Sequence, residues 1–400
     1  MKIGFVSDLH LGASQSLGKI DPDTQINTRL LDFVNTFNSV IDEFEARGVK
    51  LVVIPGDITD IKNPPALIVN MLSKCLTRTV QKGLRVFLLA GNHDQTKAIG
   101  STSIDFFNSL GLENIRSFTN FEVYTTQDES GQDINIVFMP YRSKSSYSVY
   151  LIEQAIEMIR QDVQRLTVNL KGKKIAVCHY MLGKTVTGQT SETFSLDELV
   201  LPLNIFDGFD ATIGGHIHKA EILQKEPPIM YVGSLDKLNF GEANHTKVSV
   251  VYDTITGQYE IIPNKCRELF EMNFDYSVGE KEYKASINDQ IIADIEEYAK
   301  EHKLEESIVK LVIKVKENDS YHVNSEKIKE YILNKKVANM VPIQISTASA
   351  RVLRNDNITE NTNSKKAIDM FIENLSAETK NMKVKLKKIA NEIIEEIDGK

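Results

Sequence analysis

The sequence contains little cysteine and proline and lacks tryptophan. Among its 400 residues there are 3 cysteines, 10 prolines and no tryptophan. Cys75, Cys178 and Cys266 are odd in number and far apart, which argues against a disulfide framework or a zinc knuckle and indicates a reducing compartment. We therefore interpret all three cysteines as small buried hydrophobic residues.

Long apolar runs are also missing. The amino terminus offers only residues 3–6 before the polar Ser7-Asp8, which is too short for a signal peptide, and no run is long enough to cross a bilayer. We expect a cytoplasmic protein with no membrane segment. A chain of 400 residues is longer than one compact core usually serves, so we expect two domains and an appendage.

An excess of basic residues is absent as well, since the formal net charge is −8. Binding to nucleic acid depends on neutralising phosphates, so this charge argues mildly against such a partner. Part of it, however, is carboxylate that bound metal ions would neutralise, and local basic clusters matter more than the net value. The composition therefore leaves nucleic acid open as a partner.

The apolar run Leu51–Ile54 predicts a strand buried on both faces, as in parallel sheets flanked by helices. It ends in Pro55-Gly56 and then Asp57. A carboxylate at the carboxyl end of such a strand lies where open α/β sheets bind ligands, although Asp57 could also serve only to form a turn.

Other strands and helices follow from hydrophobic periodicity. We expect helices at about 30–44, 65–82, 101–111 and 147–166, and a hairpin over 122–141. Strands near 230–232, 248–252 and 259–262 are expected to form an antiparallel set. We also expect the strand that begins at residue 3 to project Asp8 and His10 to the same side if it continues to His10.

Several apolar strands end in residues that commonly bind metals. A lone histidine is usually structural, but only His245, His302 and His322 of the 8 histidines lie outside these motifs. Carboxylate, carboxamide and imidazole without thiol suit manganese, iron or zinc rather than a structural zinc site. The candidate residues are Asp8 with His10, Asp57, Asn92 with His93, His179, and His216 with His218.

These motifs resemble, in chain order, the five signatures of the calcineurin-like metallophosphoesterases. The finer resemblance is to the SbcD nuclease branch, including phage recombination nucleases, and rests on Asp57–Asp60 with Pro64-Pro65, Tyr231–Leu235 and Phe240-Gly241-Glu242. The resemblance covers about residues 1–262. It implies an α/β (α+β) sandwich of the calcineurin-like phosphoesterase type, with a smaller α+β capping domain and a C-terminal helical tail.

The resemblance also implies a ligand set for two divalent ions, most typically Mn²⁺. Asp8, His10, Asp57 and His218 would hold the first ion, and Asp57, Asn92, His179 and His216 the second. His93 would act on the leaving oxygen as a catalytic residue. Asp94 would either orient His93 or cap a helix, and both interpretations stay open. Asp60 stands where relatives have histidine, so we place it outside the ligand set.

We expect the nuclease domain at 1–262, a capping or DNA-recognition domain at 263–354, a linker at 355–363 and a helical partner-binding tail at 364–400. The lysines of strand 310–316 either follow a phosphate backbone or guard an exposed edge. Helices at 65–82 and 101–110 either pair two subunits, as in the family, or belong to the core.

The resemblance implies a DNA exonuclease and endonuclease subunit of a repair or recombination complex, forming a homodimer in the cytoplasm (of the host, if a phage encodes it). Residues 364–398 have an apolar stripe that either folds back on the chain or docks, as the family implies, on the coiled coil of an SbcC-like ATPase. The alternative function is a stand-alone metallophosphodiesterase acting on small or RNA phosphodiesters.

Overall fold

The structure, a computed structural model, describes residues 1–95, 102–183, 198–277, 286–316, 320, 322–348, 372 and 386–389. These residues divide into two compact units. The first contains Met1–Met272, Ile292–Leu311 and Ser325–Ile343, and the second contains Asn273–Ile291, Val312–Asn324 and the chain from Gln344. The domain boundaries expected from the sequence stay a prediction.

The first unit is built on two mixed sheets. The first sheet uses β1 (Lys2–Phe5), β2 (Leu51–Ile54), β3 (Arg85–Leu89), β4 (Ile115–Phe118), β13 (Val248–Asp253) and β14 (Tyr259–Pro263). The second uses β5 (Glu122–Gln127), β6 (Asp133–Met139), β7 (Lys173–Cys178), β10 (Ala211–Gly214), β11 (Glu221–Gln224) and β12 (Ile229–Tyr231). The strand order is β14-β13-β1-β2-β3-β4 in the first sheet and β11-β12-β10-β7-β6-β5 in the second.

The core lies between these sheets and on their outer faces. Alternate residues of the two sheets, such as Phe5, Val53 and Val177, pack in one buried cluster. On the outer face of the first sheet lie helices α1 (Thr28–Ala46) and α2 (Ala66–Gln81), and α4 (Ile152–Thr167) covers the second sheet. The result is a four-layer sandwich, helix–sheet–sheet–helix, which confirms the expected fold class.

The helices form where the apolar spacing predicts them. Helix α1 is capped at its amino end by Asn27, whose side chain accepts a hydrogen bond from the Arg29 N–H at 2.9 Å, and it buries Phe33, Phe37 and Phe44. It ends just before Gly48, which has a φ of 74°. The segment expected to be helical at 101–111 is described only from residue 102, and its helix α3 is confined to Phe106–Ser109.

Two expectations about strands need correction. The strand near 230–232 does not join an antiparallel set with β13 and β14, because β12 pairs in parallel with β10 in the other sheet. Strand β16 (Ile308–Lys316) is not an edge strand, because it lies between β15 (Leu269–Asp275) and β17 (Asn339–Met340) in its sheet. Its Lys310 lies 3.2 Å from Glu271, so this lysine does not guard an exposed edge.

The remaining elements are short. They are β8 (Met181–Leu182) paired with β9 (Val200–Leu201), then α5 (Ile287–Glu301), α6 (Ser325–Leu333) and β18 (Gln344–Ala348), which pairs in parallel with β16. Cys75 and Cys178 are buried as expected, but Cys266 is only half-buried. Within the described ranges, no helix is long and apolar enough to cross a membrane. Except for residues 372 and 386–389, the expected tail at 364–400 lies outside the described residues.

Candidate metal centre

Five strands carry the candidate ligands to one end of the sandwich. In the first sheet β1, β2 and β3 are parallel neighbours, and in the second sheet β7 and β10 are parallel neighbours. Each ligand residue follows the carboxyl end of one of these strands. Asp8 and His10 follow β1, Asp57 follows β2, Asn92 follows β3, His179 follows β7, and His216 and His218 follow β10.

The backbone at these positions is unusual. Asp8, His10, Asp57 and His216 have φ values of 48°, 40°, 49° and 85°, in the left-handed region that non-glycine residues seldom adopt. The condition on which a strand would carry Asp8 and His10 to the same side is not met, because β1 ends at Phe5, and the two residues converge through this left-handed backbone instead. Strained conformations of this kind persist where surrounding structure imposes them, and they cluster at functional sites.

Two glycines let these loops approach each other closely. A Cβ on Gly56, whose φ is 104°, would lie 2.1 Å from Nδ1 of His179, and a Cβ on Gly91 would lie 2.1 Å from Oδ1 of Asp57. Neither position has room for a side chain. The glycines that precede Asp57 and Asn92 are thus required for the convergence of the loops.

The first ligand cluster consists of Asp8, His10 and His218. The Nε2 atoms of His10 and His218 lie 3.0 Å apart. Asp8 is fully buried, and its Oδ1 accepts the N–H of His216 at 2.8 Å. Its Oδ2 is also buried and has no hydrogen-bond partner among the described residues.

The second cluster consists of Asp57, His179 and His216, with Asn92 among them. Oδ1 of Asn92 lies 2.9 Å from Nε2 of His179 and 3.1 Å from Nδ1 of His216. Nε2 of His179 also lies 3.2 Å from Oδ2 of Asp57. Four donor atoms from four separate loops therefore point at one position.

Asp57 stands between the two clusters. Its Oδ2 lies 3.6 Å from Nε2 of His10 and 3.2 Å from Nε2 of His179, while its Oδ1 accepts the N–H of His93 at 2.9 Å. Burial alone would raise the pKa of this carboxyl, but His179, His10 and His93 hold it well below its usual range. Burial likewise opposes the charged form of His179, yet Asp57 raises the pKa of that imidazole to about 10.

Each imidazole has its other ring nitrogen directed away from the cluster, towards an oxygen atom. Nδ1 of His179 lies 2.7 Å from the carbonyl of Pro55 and must donate to it, which leaves Nε2 to bind a metal ion. Nδ1 of His218 lies 3.1 Å from Oε1 of Glu242. The other two contacts, both 3.3 Å, join Nδ1 of His10 to Asp60 and Nε2 of His216 to Glu198.

The donor set fits two divalent cations. Converging carboxylate, carboxamide and imidazole atoms with no thiol are the ligands of manganese, iron or catalytic zinc. The buried Oδ2 of Asp8, which lacks a partner among the described residues, is an atom that a cation would satisfy. All seven residues that the sequence predicted as ligands lie together, and Asn92 and His218 are less deeply buried than the rest, so they lie on the side nearer to solvent.

His93 and Asp94 have different surroundings. Nδ1 of His93 lies 2.7 Å from the carbonyl of Asp60, and the ring meets that of His10 edge-on at a centroid distance of 4.7 Å. Asp94 is buried and accepts the N–H groups of Gly91 and Ile58 at 2.9 and 3.0 Å. These contacts are neither a cap of α3 nor a hydrogen bond to His93, but a tie between the loops after β2 and β3. Burial and the charge of Asp57 raise the pKa of Asp94 to about 6.

Sequence reasoning gave no role to three residues in this neighbourhood. Glu242 lies in a segment that carried the family resemblance, and Asp60 was placed outside the ligand set. Glu198 precedes the short strand β9 and lies in no motif that could have indicated it. Their approach to the imidazoles depends on the folding of distant loops.

The family model for calcineurin-like phosphoesterases matches residues 1–220. The chain belongs to that family. Members hold a dimetal centre, and two of the three ligand groups found among the described residues fit such a centre, the third being His10, Asp60 and His93. The expected family and fold class are therefore confirmed, and hydrolysis of phosphoesters is the activity class that the family carries.

Among curated proteins, the chain is 24% identical over 257 residues to the DNA double-strand break repair protein Mre11 of Archaeoglobus fulgidus. The aligned region is 61% of this chain and 52% of that protein. The chain is 22% identical over 277 residues to a subunit of the nuclease SbcCD from Bacillus subtilis, spanning 64% and 67% of the two chains. The matched region is thus about half the length of the archaeal relative and two thirds of the bacterial one.

Among solved structures, a dimetal phosphatase from Danio rerio is similar over 63% of this chain and 91% of its own length. The TM-score is 0.35 and the sequence identity is 9%. A purple acid phosphatase from yellow lupin, Lupinus luteus, has a TM-score of 0.35 over 67% of this chain and 54% of its own, with 10% identity.

Proposed function

We propose that this phosphoesterase hydrolyses the phosphodiester bonds of DNA with two divalent metal ions, normally Mn²⁺. The observation that carries the proposal is the buried Asp57 carboxylate between two ligand clusters, with Oδ2 3.6 Å from His10 and 3.2 Å from His179. Only a carboxylate can offer an oxygen to each of two ions, so Asp57 would bridge them.

The other ligands follow from the clusters. Asp8, His10 and His218 would complete the first site, and Asn92, His179 and His216 would complete the second. When bound, two ions about 3.5–4 Å apart clamp the attacking and leaving oxygens of a phosphodiester and lower the pKa of a coordinated water. The protein contributes fixed donor positions, since the loops cannot move apart without breaking the backbone contacts between them.

His93 is the catalytic residue of the proposal. Because a carbonyl oxygen can only accept, Nδ1 of His93 carries a proton and donates a hydrogen bond to the backbone carbonyl of Asp60. Nε2 is then the ring atom that would exchange a proton with the leaving oxygen. Of the two roles expected of Asp94, the proposal takes the first, that it orients His93, here through the loop that carries His93. It positions this loop by accepting the N–H groups of Gly91 and Ile58.

DNA as substrate is supported by the relatives, two of which are named as a DNA double-strand break repair protein and a nuclease subunit. The resemblance of the sequence motifs to the SbcD branch further implies that the chain would act as both exonuclease and endonuclease, as a homodimer in the cytoplasm, together with an SbcC-like ATPase. The tail at 364–398 would supply the contact with this ATPase through its apolar stripe.

The direct test is incubation of the purified chain with end-labelled duplex and single-stranded DNA, with Mn²⁺ or with a chelator, and with or without the ATPase. Metal-dependent release of nucleotides by the wild type, lost in Asp8→Asn, supports the proposal. DNA that stays intact under every condition, with both ions bound, would refute it.

The second candidate is a stand-alone phosphodiesterase for small or RNA esters. For small esters it is favoured by the net charge of −8 and by the pairing of Lys310 with Glu271 and of Lys314 with Asp275, which reduces the positive charge available for a phosphate backbone. Cleavage of cyclic nucleotides or RNA at a higher kcat/KM than that of DNA would select this candidate. The metal site would be the same in either case.

A further inference from the structure

Three carboxylates stand behind the imidazoles of the metal centre, on the side away from the ions. Glu242 accepts from His218, Glu198 lies 3.3 Å from His216, and Asp60 lies 3.3 Å from His10. At 3.3 Å the last two contacts are longer than the usual N–H···O hydrogen bond. Only the contact of Glu242 has the geometry of a hydrogen bond, so Glu242 provides the firmest argument.

Glu242 is itself held rigidly. Its Oε2 accepts the Leu238 N–H at 3.0 Å and the ammonium group of Lys247 at 2.6 Å, and the side chains of both charged residues are almost wholly buried. Nζ of Lys247 also donates to the carbonyl of His218 at 2.9 Å and to the Ser234 hydroxyl at 2.7 Å. The Lys247–Glu242 pair therefore contacts His218 at two points, since Glu242 accepts from the ring and Lys247 donates to the backbone carbonyl.

Glu198 is placed in a comparable way behind the second cluster. Its side chain is 13% exposed, its Oε1 lies near His216, and its Oε2 accepts from the hydroxyl of Tyr141 at 3.3 Å. The ring of Tyr141 stacks at 6.0 Å, centroid to centroid, on that of His216. The ring of His216 is thereby bounded on its edge and on its face.

We propose that Glu242 and Glu198 are positioning residues, each serving a different metal ion. Glu242, fixed by Lys247, holds the proton of His218 on Nδ1 and turns Nε2 towards the first ion. Glu198, 3.3 Å from Nε2 of His216, would shorten this contact to accept the Nε2 proton and so leave Nδ1 to bind the second ion. A carboxylate behind a ligating imidazole fixes its tautomer and raises its basicity, and loss of such a partner typically weakens metal binding by about 10–100-fold.

The inference rests on the dimetal part of the proposed function and is independent of the substrate. The experiment is a calorimetric titration of Mn²⁺ into the apoprotein, together with the Mn²⁺ electron paramagnetic resonance signal of coupled ions. The variants are Glu242→Gln and Glu198→Gln, and the matched control is Glu260→Gln, an exposed glutamate paired with Arg47 on the surface. The variant Asn92→Ala lacks a ligand of the second site only. The binding step that it weakens in the titration therefore belongs to the second ion, and the other step belongs to the first.

We expect Glu242→Gln to lower the affinity for the first ion by about 10–100-fold and to leave the affinity for the second unchanged. We expect Glu198→Gln to lower the affinity for the second ion by the same factor and to leave the first unchanged. Glu260→Gln should match the wild type. If Glu242→Gln fails to fold by circular dichroism, because it leaves Lys247 buried without its counter-charge, the double variant Glu242→Gln/Lys247→Met carries the same test.

The outcomes separate the inference from the proposed function. Two ions bound by the wild type, with neither variant weaker or with both ions weakened equally in each, would overturn the inference and leave the metal centre intact. A wild type that binds fewer than two ions would instead refute the dimetal site itself.

Discussion

Replacing Asp57 by asparagine should weaken the binding of both metal ions, although it changes only one carboxylate oxygen into an amide nitrogen. Asparagine keeps the shape of the side chain, and its Oδ1 can still accept the N–H of His93, a bond of 2.9 Å in the wild type. What is lost is one negative charge beside both clusters, at 3.6 Å from His10 and 3.2 Å from His179. The protonated His179 loses its ion partner as well and is expected to become neutral in the apoprotein, which limits the cost to folding.

The magnitude follows from Coulomb's law. A carboxylate charge and a divalent ion about 4 Å apart interact by about 8 kcal/mol at an effective dielectric constant of 20. The amide dipole replaces part of this interaction, so we expect each ion to bind about 10²–10³-fold more weakly. Hydrolysis should be abolished at metal concentrations that saturate the wild type.

The assay is elemental analysis of Mn²⁺ after gel filtration, combined with hydrolysis of a chromogenic phosphodiester. Asp42→Asn is the matched control, since Asp42 is a half-exposed carboxylate on α1 that pairs only at the surface with Arg78 and Lys82. Circular dichroism should show the same fold in both variants. Two equivalents of Mn²⁺ with retained activity in Asp57→Asn would refute the bridging role.

Four further changes have distinct expected results. His93→Ala should keep both ions and lose about 10²–10⁴-fold in rate, and loss of an ion on elemental analysis would make His93 a ligand instead. Asp94→Ala should lower the thermal midpoint and the rate together, because the Gly91 and Ile58 N–H groups lose their acceptor; unchanged thermal unfolding would contradict the tie between the loops. The raised pKa of His179, about 10, means that its proton must leave when metal binds, so Mn²⁺ affinity should rise about tenfold per pH unit between about pH 6.5 and 8.5, and a flat calorimetric profile would contradict this. A chain that ends at Asn363 should hydrolyse a simple phosphodiester normally but fail to co-purify with the ATPase, and unchanged affinity would make the tail structural.

Local patterns in the sequence were enough to predict α1, α2 and α4 and the candidate ligand residues that lie together in the two clusters. The apolar spacing of α1 and α2 depends on the helix alone, and so does the position of Gly48 after α1. The ligand residues were recognisable because each follows a buried strand, and parallel strands bring their carboxyl ends to one edge. Asp57 and His179 illustrate this: they lie on different sheets, yet both end strands of the expected kind.

What sequence could not predict depends on contacts between distant segments. The left-handed backbone of Asp8 and His10 replaces a straight strand because the carbonyls of Gly56 and Asp57 accept their N–H groups from the adjoining loop. The pairing of β12 with β10 is likewise set by sheet topology, not by the composition of β12. Glu198 shows the limit most clearly, since only the fold brings it to His216.

The most direct test of the metal centre is an anomalous difference map from crystals of the chain grown with Mn²⁺. We expect two peaks about 3.5–4 Å apart, both in contact with Asp57. One peak should also contact the first cluster, Asp8, His10 and His218, and the other Asn92, His179 and His216. A single peak, or a pair of peaks neither of which touches Asp57, would contradict the account.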